Sequence, residues 1–498
     1  MTWEPAQAPR QTRYEAVAAD IVRSIEAGTL RPGDRLPSVR QASAARRVSA
    51  STIFQAYYLL EAKGYIQARD RSGYYVTLRR RTPPEPDTTR PDGIPGPVDI
   101  AGLVFDVLGA MRDPRTIPFG SAFPAPTLFP LVKLAGALKT GLRRMDPWSS
   151  VSDMFTGNPD LRRQIAVRYL IDGMDVQADD LVITNGALEA LQLALTAVTR
   201  PGDTVLIESP AFYATLQSLE RMKLHAVEVP TSPRTGIDLQ ALAQAIERYR
   251  PRACWIMSNF QNPTGSLMPD AAKRELAALL ARHDIPLIED DVYGELYFGR
   301  ARPLPVKACD RDGRVLHCGS FSKCLAPGYR VGWIAPGRYA REVQRQKLMT
   351  TLASPSPNQL ALAEYLDHGG YDRHLRQLRV TLARQQEAML GALARYFPEG
   401  TRVSRPQGGY FLWVQLPPGG DALAVYRAAL ERHISVAPGP IFSPRGGYGD
   451  CLRLNYGHPW DTRLEGAMRQ LGDIVAAQAD SPPQRQRGTQ STSSGGVR

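Results

Sequence analysis

Gly319-Ser320-Phe321-Ser322-Lys323-Cys324-Leu325-Ala326-Pro327-Gly328-Tyr329-Arg330 follows the apolar run Val315-Leu316-His317-Cys318. A short apolar run bounded by glycine and serine reads as a buried strand, which sets Lys323 just past a strand's carboxyl end. Alone, a lysine there is a surface cation. Working outward, other runs repeat the layout. Pro286-Leu287-Ile288-Glu289 ends in Asp290-Asp291-Val292-Tyr293, and Cys254-Trp255-Ile256-Met257 leads to Asn259-Phe260-Gln261-Asn262-Pro263-Thr264-Gly265. Leu181-Val182-Ile183-Thr184 leads to Asn185-Gly186-Ala187 and a helical pattern through Leu195. In open α/β sheets ligands collect at the carboxyl ends of strands. Each candidate residue stands just past such an end, and Asp291 reads as structural.

The strand, small-residue turn and helix start at 181–188 make an anion site from the N–H groups of Gly186, Ala187 and Leu188. An amine, an acid, amide and hydroxyl groups and an anion cradle on one sheet edge are what pyridoxal 5'-phosphate requires. The lysine forms an imine with its aldehyde, and the acid keeps the pyridine nitrogen protonated. The remaining groups hold the ring hydroxyl and the phosphate.

These motifs resemble the fold-type I, class I and II aminotransferases over most of residues 115–475, with 28 residues from Asn262 to Asp290 and 33 from Asp290 to Lys323. The resemblance implies an α/β domain with a central, mostly parallel sheet and a small C-terminal α+β lobe. Gly408-Gly409-Tyr410-Phe411-Leu412-Trp413 reads as a core strand of that lobe. It also implies roles. Lys323 carries the internal aldimine, Asp290 pairs with the pyridinium, and Tyr293, with Asn262, bonds the ring hydroxyl. Lys323, Asp290 and Tyr293 are the catalytic set. Ser320, Ser322 and Arg330 bind phosphate with Gly186 and Ala187. Phe212 stacks on the ring, with Tyr213 as its alternate. Arg453 grips the α-carboxylate of an amino acid through its planar fork.

The first eighty residues read differently. Val17, Ala18, Ile21, Val22 and Ile25 have helical spacing over 14–27. Ser38 caps a short helix over 39–46, and Ser49 caps a longer one to residue 63 with the stripe Ile53, Ala56, Tyr57, Leu60. Residues 65–69 and 74–77 flank a Gly73-bearing tip and read as a hairpin. This is a winged helix-turn-helix over 12–78, whose second motif helix enters the major groove. Arg35, Arg40, Arg46 and Arg69 suit phosphate contacts. Ser51, Thr52 and Gln55 face away from the stripe toward base edges, with Ser49 and Gly73 beside the DNA. Gly33-Asp34-Arg35-Leu36-Pro37-Ser38, Val48-Ser49 and Leu60-Glu61-Ala62-Lys63-Gly64-Tyr65 resemble the GntR-type winged helix. That family often has arginines where this chain has Ala50 and Phe54.

Composition agrees. The net charge is +12, and residues 1–81 hold 14 Lys+Arg against 7 Asp+Glu, or 14 − 7 = +7. A basic excess in a small module favours a polyanion. The five cysteines form no CxxC pair and no metal-ligand spacing, so free thiols and no metal are expected. No apolar run reaches the ~18 residues that span a bilayer. No secretion signal precedes the first helix, so a cytoplasmic protein without membrane contact is expected.

Residues 79–97 are proline-bearing and read as a linker, 98–477 as the aminotransferase-like domain and 478–498 as a disordered tail. The whole layout resembles MocR-type regulators, and Ser121-Ala122-Phe123-Pro124 with 290–299 resembles their YdcR-like branch. The resemblance implies a head-to-tail homodimer on a double-stranded operator. It also implies a transcriptional regulator in which an amino acid or amine effector exchanges at Lys323. A working aminotransferase with an appended DNA module, and a sensor of pyridoxal phosphate itself, are the alternative readings.

Overall fold

The structure is a computed structural model that describes residues 12–27, 29–31, 33–62, 65–69, 72–76, 83–109, 113, 115–368 and 370–479. The chain divides into two units, Met1–Thr82 and Pro83–Arg498. The tail expected from 478 lies outside the described residues from 480 onward, and 478–479 end the last helix, Thr462–Ala479.

In the first unit, α1 (Arg13–Glu26) begins at Thr12, whose N–H donates to the Glu15 carboxylate at 2.9 Å. α2 (Val39–Arg46) is capped reciprocally: Gln41 N–H donates to Ser38 Oγ at 3.3 Å and Ser38 N–H to Gln41 Oε1 at 3.0 Å. Arg47 adopts a left-handed conformation that turns the chain into α3 (Ala50–Ala62), where Ser49 Oγ accepts from Thr52 N–H at 3.2 Å. The stripe Ile53, Ala56, Tyr57, Leu60 is buried against Val17, Ala18 and Ile21 of α1. β1 (Ile66–Arg69) and β2 (Gly73–Val76) pair antiparallel, Ile66 opposite Val76. Leu36 N–H donates to Tyr74 O and Val76 N–H to Asp34 O, both at 2.8 Å, so the chain before α2 lies along the wing. This is the winged helix-turn-helix that the caps and periodicity predict.

The strands of the second unit are β3 (Ile117–Pro118), β4 (Val182–Thr184), β5 (Thr204–Ser209), β6 (His225–Ser232), β7 (Gly236–Ile237), β8 (Ala253–Ile256), β9 (Leu287–Asp290), β10 (Val315–Ser320), β11 (Gly332–Ala335), β12 (Arg402–Val403), β13 (Phe411–Gln415), β14 (Ile434–Ser435), β15 (Ala437–Pro438) and β16 (Cys451–Asn455). Eight form one sheet in the order β4-β11-β10-β9-β8-β5-β6-β7. β6, β5, β8, β9 and β10 are mutually parallel. β11 is antiparallel to both β10 and β4, so β4 runs with the parallel set. The carboxyl ends of β4, β5, β8, β9 and β10 therefore share one edge with the amino end of β11.

Alternation along the strands covers both faces. Leu206, Cys254, Ile256 and Leu287 pack on one side with Leu242, Ile246 and Leu276 from the helices Leu239–Tyr249 and Asp270–Arg282. Val205, Ile207, Trp255, Ile288 and Leu316 pack on the other with Leu191 and Leu195 of the helix Ala187–Val198. The small lobe is the antiparallel sheet β12-β13-β16-β15 with the helices Ala422–Leu430 and Thr462–Ala479. β14 pairs in parallel with β3, which ties the chain at 117–123 to that lobe.

The segment read as a linker is not a free spacer from Pro83 onward. Prolines lack N–H groups but keep their carbonyls, and their neighbours keep both groups. Val403 N–H donates to Pro84 O at 2.8 Å, and Gly96 and Ala226 exchange backbone hydrogen bonds. Thr89 Oγ1 donates to Ser209 O at 2.6 Å and accepts from Thr231 N–H at 2.9 Å. Arg445 pairs with Asp92 at 2.6 Å. Residues 79–82 lie outside the described residues.

Ile53→Ala should cost the first unit about 2–5 kcal/mol, a large share of a small domain's stability. Calorimetry should show its transition lost or lowered, with operator binding lost and the large unit's transition unchanged.

Candidate cofactor and effector site

Two adjacent carboxyls, Asp290 and Asp291, are both buried at the end of β9, in opposite environments. Asp291 pairs with Arg302 at 2.6 Å, accepts from Asn259 Nδ2 at 2.8 Å and lies 3.3 Å from His317 Nε2. Burial would raise it, but Arg302 and His317 outweigh that and hold it at about 2. Asp290 is 1% exposed and has no ion pair among the described residues. Its carboxylate accepts only a long 3.4 Å bond from Val292 N–H. Burial lifts it to about 7, against the pull of that N–H and of Lys323.

Lys323, half-buried past the end of β10, donates from Nζ to Ala122 O at 3.0 Å. Its amine lies 3.9 Å from the centre of the Phe123 ring. Removal of water around the amine lowers it to about 7, aided by the Arg453 and Arg330 charges and opposed by Asp290. Tyr293 is buried 5.9 Å from that amine, ring centre to nitrogen, and its hydroxyl accepts from Asn262 Nδ2 at 3.4 Å.

Arg453, in the middle of β16, is 0% exposed and has no acidic partner among the described residues. Nη1 donates to Asn262 Oδ1 at 3.1 Å and Nη2 to Gly120 O at 2.6 Å, while Nε makes no hydrogen bond. Its guanidinium carbon lies 4.2 Å from the centre of the Phe411 ring.

At the neighbouring strand ends, Arg330 Nη1 donates to Ser322 Oγ at 3.2 Å and Nη2 to Asn185 O at 3.4 Å. Gly186 has φ +84°, and a Cβ there would stand 2.5 Å from Arg330 Nη2. Glycine thus lets the arginine reach the helix start. Ala187 opens the helix, whose first N–H groups lack intrahelical acceptors. The expectation for Gly186 changes in detail, because its own N–H is bonded to Thr184 O at 2.8 Å. Ser320 Oγ donates to Val331 O at 3.1 Å and accepts from Ser322 N–H at 3.0 Å, which shapes the turn. Phe212 precedes the helix Tyr213–Arg221 beyond β5, its ring centre 4.6 Å from that of Tyr213.

Some groups at this edge escaped the sequence reading. The carbonyls of Gly120 and Ser121 receive Arg453, and that of Ala122 receives both Lys323 and Tyr410. Their only signal was the Ser121-Ala122-Phe123-Pro124 motif, which marked the branch and no function. Glu208, at the end of β5, is buried and raised to about 8 by burial, with Asp290 adding to the shift.

In the first unit, Arg35, Arg40, Ser49, Ser51, Gln55 and Gly73 are exposed and Thr52 is half-buried. The Arg35 guanidinium lies over Gly73 of the wing, where a Cβ would stand 3.3 Å from Nε. Ser49 is the α3 cap, its hydroxyl 2.9 Å from that of Ser51 and 2.7 Å from that of Thr52. Arg46 pairs with Asp20 at 3.0 Å. The side chain of Arg69 lies outside the described part.

A buried acid short of a cation and a buried guanidinium short of an anion fit a pyridinium and a carboxylate. The Arg330 and Ala187 cradle fits a phosphate. Fold and site together define a pyridoxal-phosphate-type domain carried behind a DNA-binding module. The family model for aminotransferase class I and II matches residues 137–469, and that for bacterial regulatory proteins of the gntR family matches 13–76. The Escherichia coli HTH-type transcriptional regulator YdcR is 47% identical over 93% of this chain and 99% of its own length. YjiR, from the same organism, is 40% identical over 93% and 99%. The crystal structure of LysN, an alpha-aminoadipate aminotransferase from Thermus thermophilus, superposes with TM-score 0.70 at 31% identity. It covers 76% of this chain and 95% of its own, and it holds N-(5'-phosphopyridoxyl)-L-leucine. The chain belongs to the class I and II aminotransferase family, as a transcriptional regulator of MocR-type architecture with a GntR-type helix-turn-helix domain in front. Family members of this fold depend on pyridoxal phosphate. All five cysteines are free, and no helix among the described residues is long and apolar enough to cross a membrane.

An amine lowered to about 7 becomes the reactive free base near neutrality. Labelling of Lys323 in cofactor-free protein by an amine reagent, followed by mass spectrometry, should reach half its maximal rate near pH 7 and not above 10. Gly186→Ala, which displaces Arg330, should weaken pyridoxal phosphate binding about tenfold or more in a titration, a loss of roughly 1.4 kcal/mol.

Proposed function

We propose that the large unit senses an amino acid or amine at this site and that occupancy changes how the GntR-type domain holds its operator. The observation that carries the reading is the pair of buried side chains, Asp290 and Arg453, that have no ion-pair partner among the described residues. When bound, pyridoxal phosphate supplies an aldehyde carbon open to amines and a ring that draws electrons. Asp290 keeps the ring nitrogen protonated, Asn262 and Tyr293 orient the ring hydroxyl, and Phe212 covers the ring. Ser320, Ser322, Arg330, Gly186 and Ala187 hold the phosphate. Lys323 would hold the aldehyde carbon through Nζ, and its amine, lowered to about 7, would take up or give back one proton there when an effector amine binds. Arg453 receives a carboxylate, which favours an α-amino acid. The leucine adduct in LysN supports the same class of ligand.

The interdomain segment supports a regulatory use. Thr89 bonds Ser209, the last residue of β5 and three residues before Phe212, so the segment that follows the DNA-binding domain is fastened to the strand end from which the Phe212 turn leaves. A ligand shifts such an arrangement only by binding one state better than another. A head-to-tail homodimer on two half-sites completes the reading, and Val132, Trp148 and Met349 are exposed apolar side chains available to a subunit contact.

A working aminotransferase is the second reading, favoured by an amine that exchanges protons near neutral pH. Operator affinity measured with and without a panel of amino acids, beside 2-oxo acid formation from the same panel, separates the two. Rapid turnover without any change in operator affinity overturns the sensor reading. Lys323→Ala should abolish both the cofactor's bound absorbance and the response. Thr89→Val keeps shape and removes both hydrogen bonds. It should leave cofactor absorbance intact while an effector response of about 5- to 150-fold falls toward onefold.

A further inference from the structure

We propose that Phe54 reads the operator directly, its ring lying against the 5-methyl group of thymine in the major groove. The inference rests on the reading that α3 enters DNA. One face of α3 is spent on the core, with Ile53, Ala56, Tyr57 and Leu60 at 0–1% exposure. The other carries Ala50, Ser51, Phe54, Gln55 and Tyr58, all exposed, with Phe54 at 55% and Tyr58 at 68%. Phenylalanine gives an exposed helix position no propensity advantage over arginine, lysine or glutamine. Phe54 and Tyr58, one turn apart, leave an apolar strip on the face of α3 that is not spent on the core.

The charge of the module points to an occupant for that strip. Asp20 is paired with Arg23 and Arg46, and Asp34 and Glu61 accept from the backbone N–H groups of Arg31 and Ala68. Arg35 and Arg40 are exposed and have no acidic partner among the described residues. An exposed apolar ring on a module whose residues 1–81 carry a net charge of +7 fits a polyanion that displays an apolar group. Duplex DNA displays one in its major groove, the C5 methyl of thymine.

The neighbours on α3 sharpen the assignment. The hydroxyls of Ser51 and Thr52 are engaged with that of Ser49, which leaves Gln55 as the free amide on the face. An amide of this kind pairs with adenine N6 and N7. Phe54 and Gln55 therefore read the two halves of A·T pairs, and Ala50, one turn before Phe54, adds a second small apolar contact. The half-site core that this face selects is rich in A·T.

The test uses full-length, cofactor-loaded protein. A bound duplex is first selected from random sequence at fixed salt. Each thymine of the selected half-site is then replaced by deoxyuridine, which keeps every hydrogen-bonding group and lacks only the methyl. Wild-type protein should lose about three- to tenfold in affinity at one or two positions per half-site, the scale of one or two buried methyl groups. Phe54→Ala should bind thymine and deoxyuridine duplexes equally and keep the wild-type salt slope, since no phosphate contact is removed. Phe54→Leu should retain part of the preference. Thermal melting establishes that the variants fold, as expected for an exposed position. A selected duplex that is insensitive to deoxyuridine overturns the assignment, as does a thymine preference that survives Phe54→Ala. Failure to select any duplex overturns the DNA-binding reading and this one with it.

Discussion

Asp290 and Arg453 are buried with no ion pair among the described residues, and holding them there is the constraint around which this edge of the large unit is arranged. Burying an ionised group costs several kcal/mol unless partners replace its water. The chain meets that cost only in part. Arg453 has two carbonyls, an amide oxygen and an aromatic face, but its Nε is left bare. Asp290 has one long backbone bond and a basicity raised to about 7. The adjacent Asp291 shows the alternative: it is equally buried, paired with Arg302, and held at about 2. The contrast supports the proposed site, in which Asp290 is reserved for a group outside the chain.

That reservation requires a meeting of three parts. The large sheet brings Asp290, Tyr293, Asn262 and Lys323 to one edge because its strands run mostly parallel. The small lobe brings Arg453 from the centre of β16. The chain at 120–123 closes the gap, with carbonyls on Arg453, Lys323 and Tyr410. It is held by the β3–β14 pairing, and Gly120 is needed there because a Cβ would stand 2.8 Å from the Val436 backbone. A ligand that touches Arg453 and Lys323 at once therefore touches both lobes.

Much of this edge was legible in the sequence because strand ends announce themselves. Short apolar runs followed by Asn262, Asp290 or Lys323 have a period and a boundary, and the capping serines Ser38 and Ser49 mark helix starts as plainly. Pattern failed where backbone atoms act. The carbonyls of Gly120, Ser121 and Ala122 carry no side-chain signature, and nothing in a sequence says which carbonyl faces a distant lysine. The path of the proline-bearing segment was hidden for a related reason. Proline argues against helix and against central strand, but not against a chain laid along a surface by its other N–H and C=O groups. The partner of Arg46 was hidden too, because Asp20, 26 positions earlier, is brought beside it only by the packing of α1.

The fastening of residues 83–97 bears on why a cofactor site and a DNA reader share one chain. A spacer anchored only at its ends would transmit nothing, since its conformational freedom absorbs any movement at the site. Here the chain is bonded at Pro84, Thr89, Asp92 and Gly96, and the Thr89 bond reaches the last residue of β5. The turn beyond β5 carries Phe212 and Tyr213, and Ser209 is itself bonded to Glu228 and Tyr448. Breaking the Thr89 bond to the buried Ser209 carbonyl costs about 1–3 kcal/mol. That is the scale on which allosteric coupling between two sites operates. The strap thus ties residues 83–97, within the large unit, to the strand end that leads to Phe212.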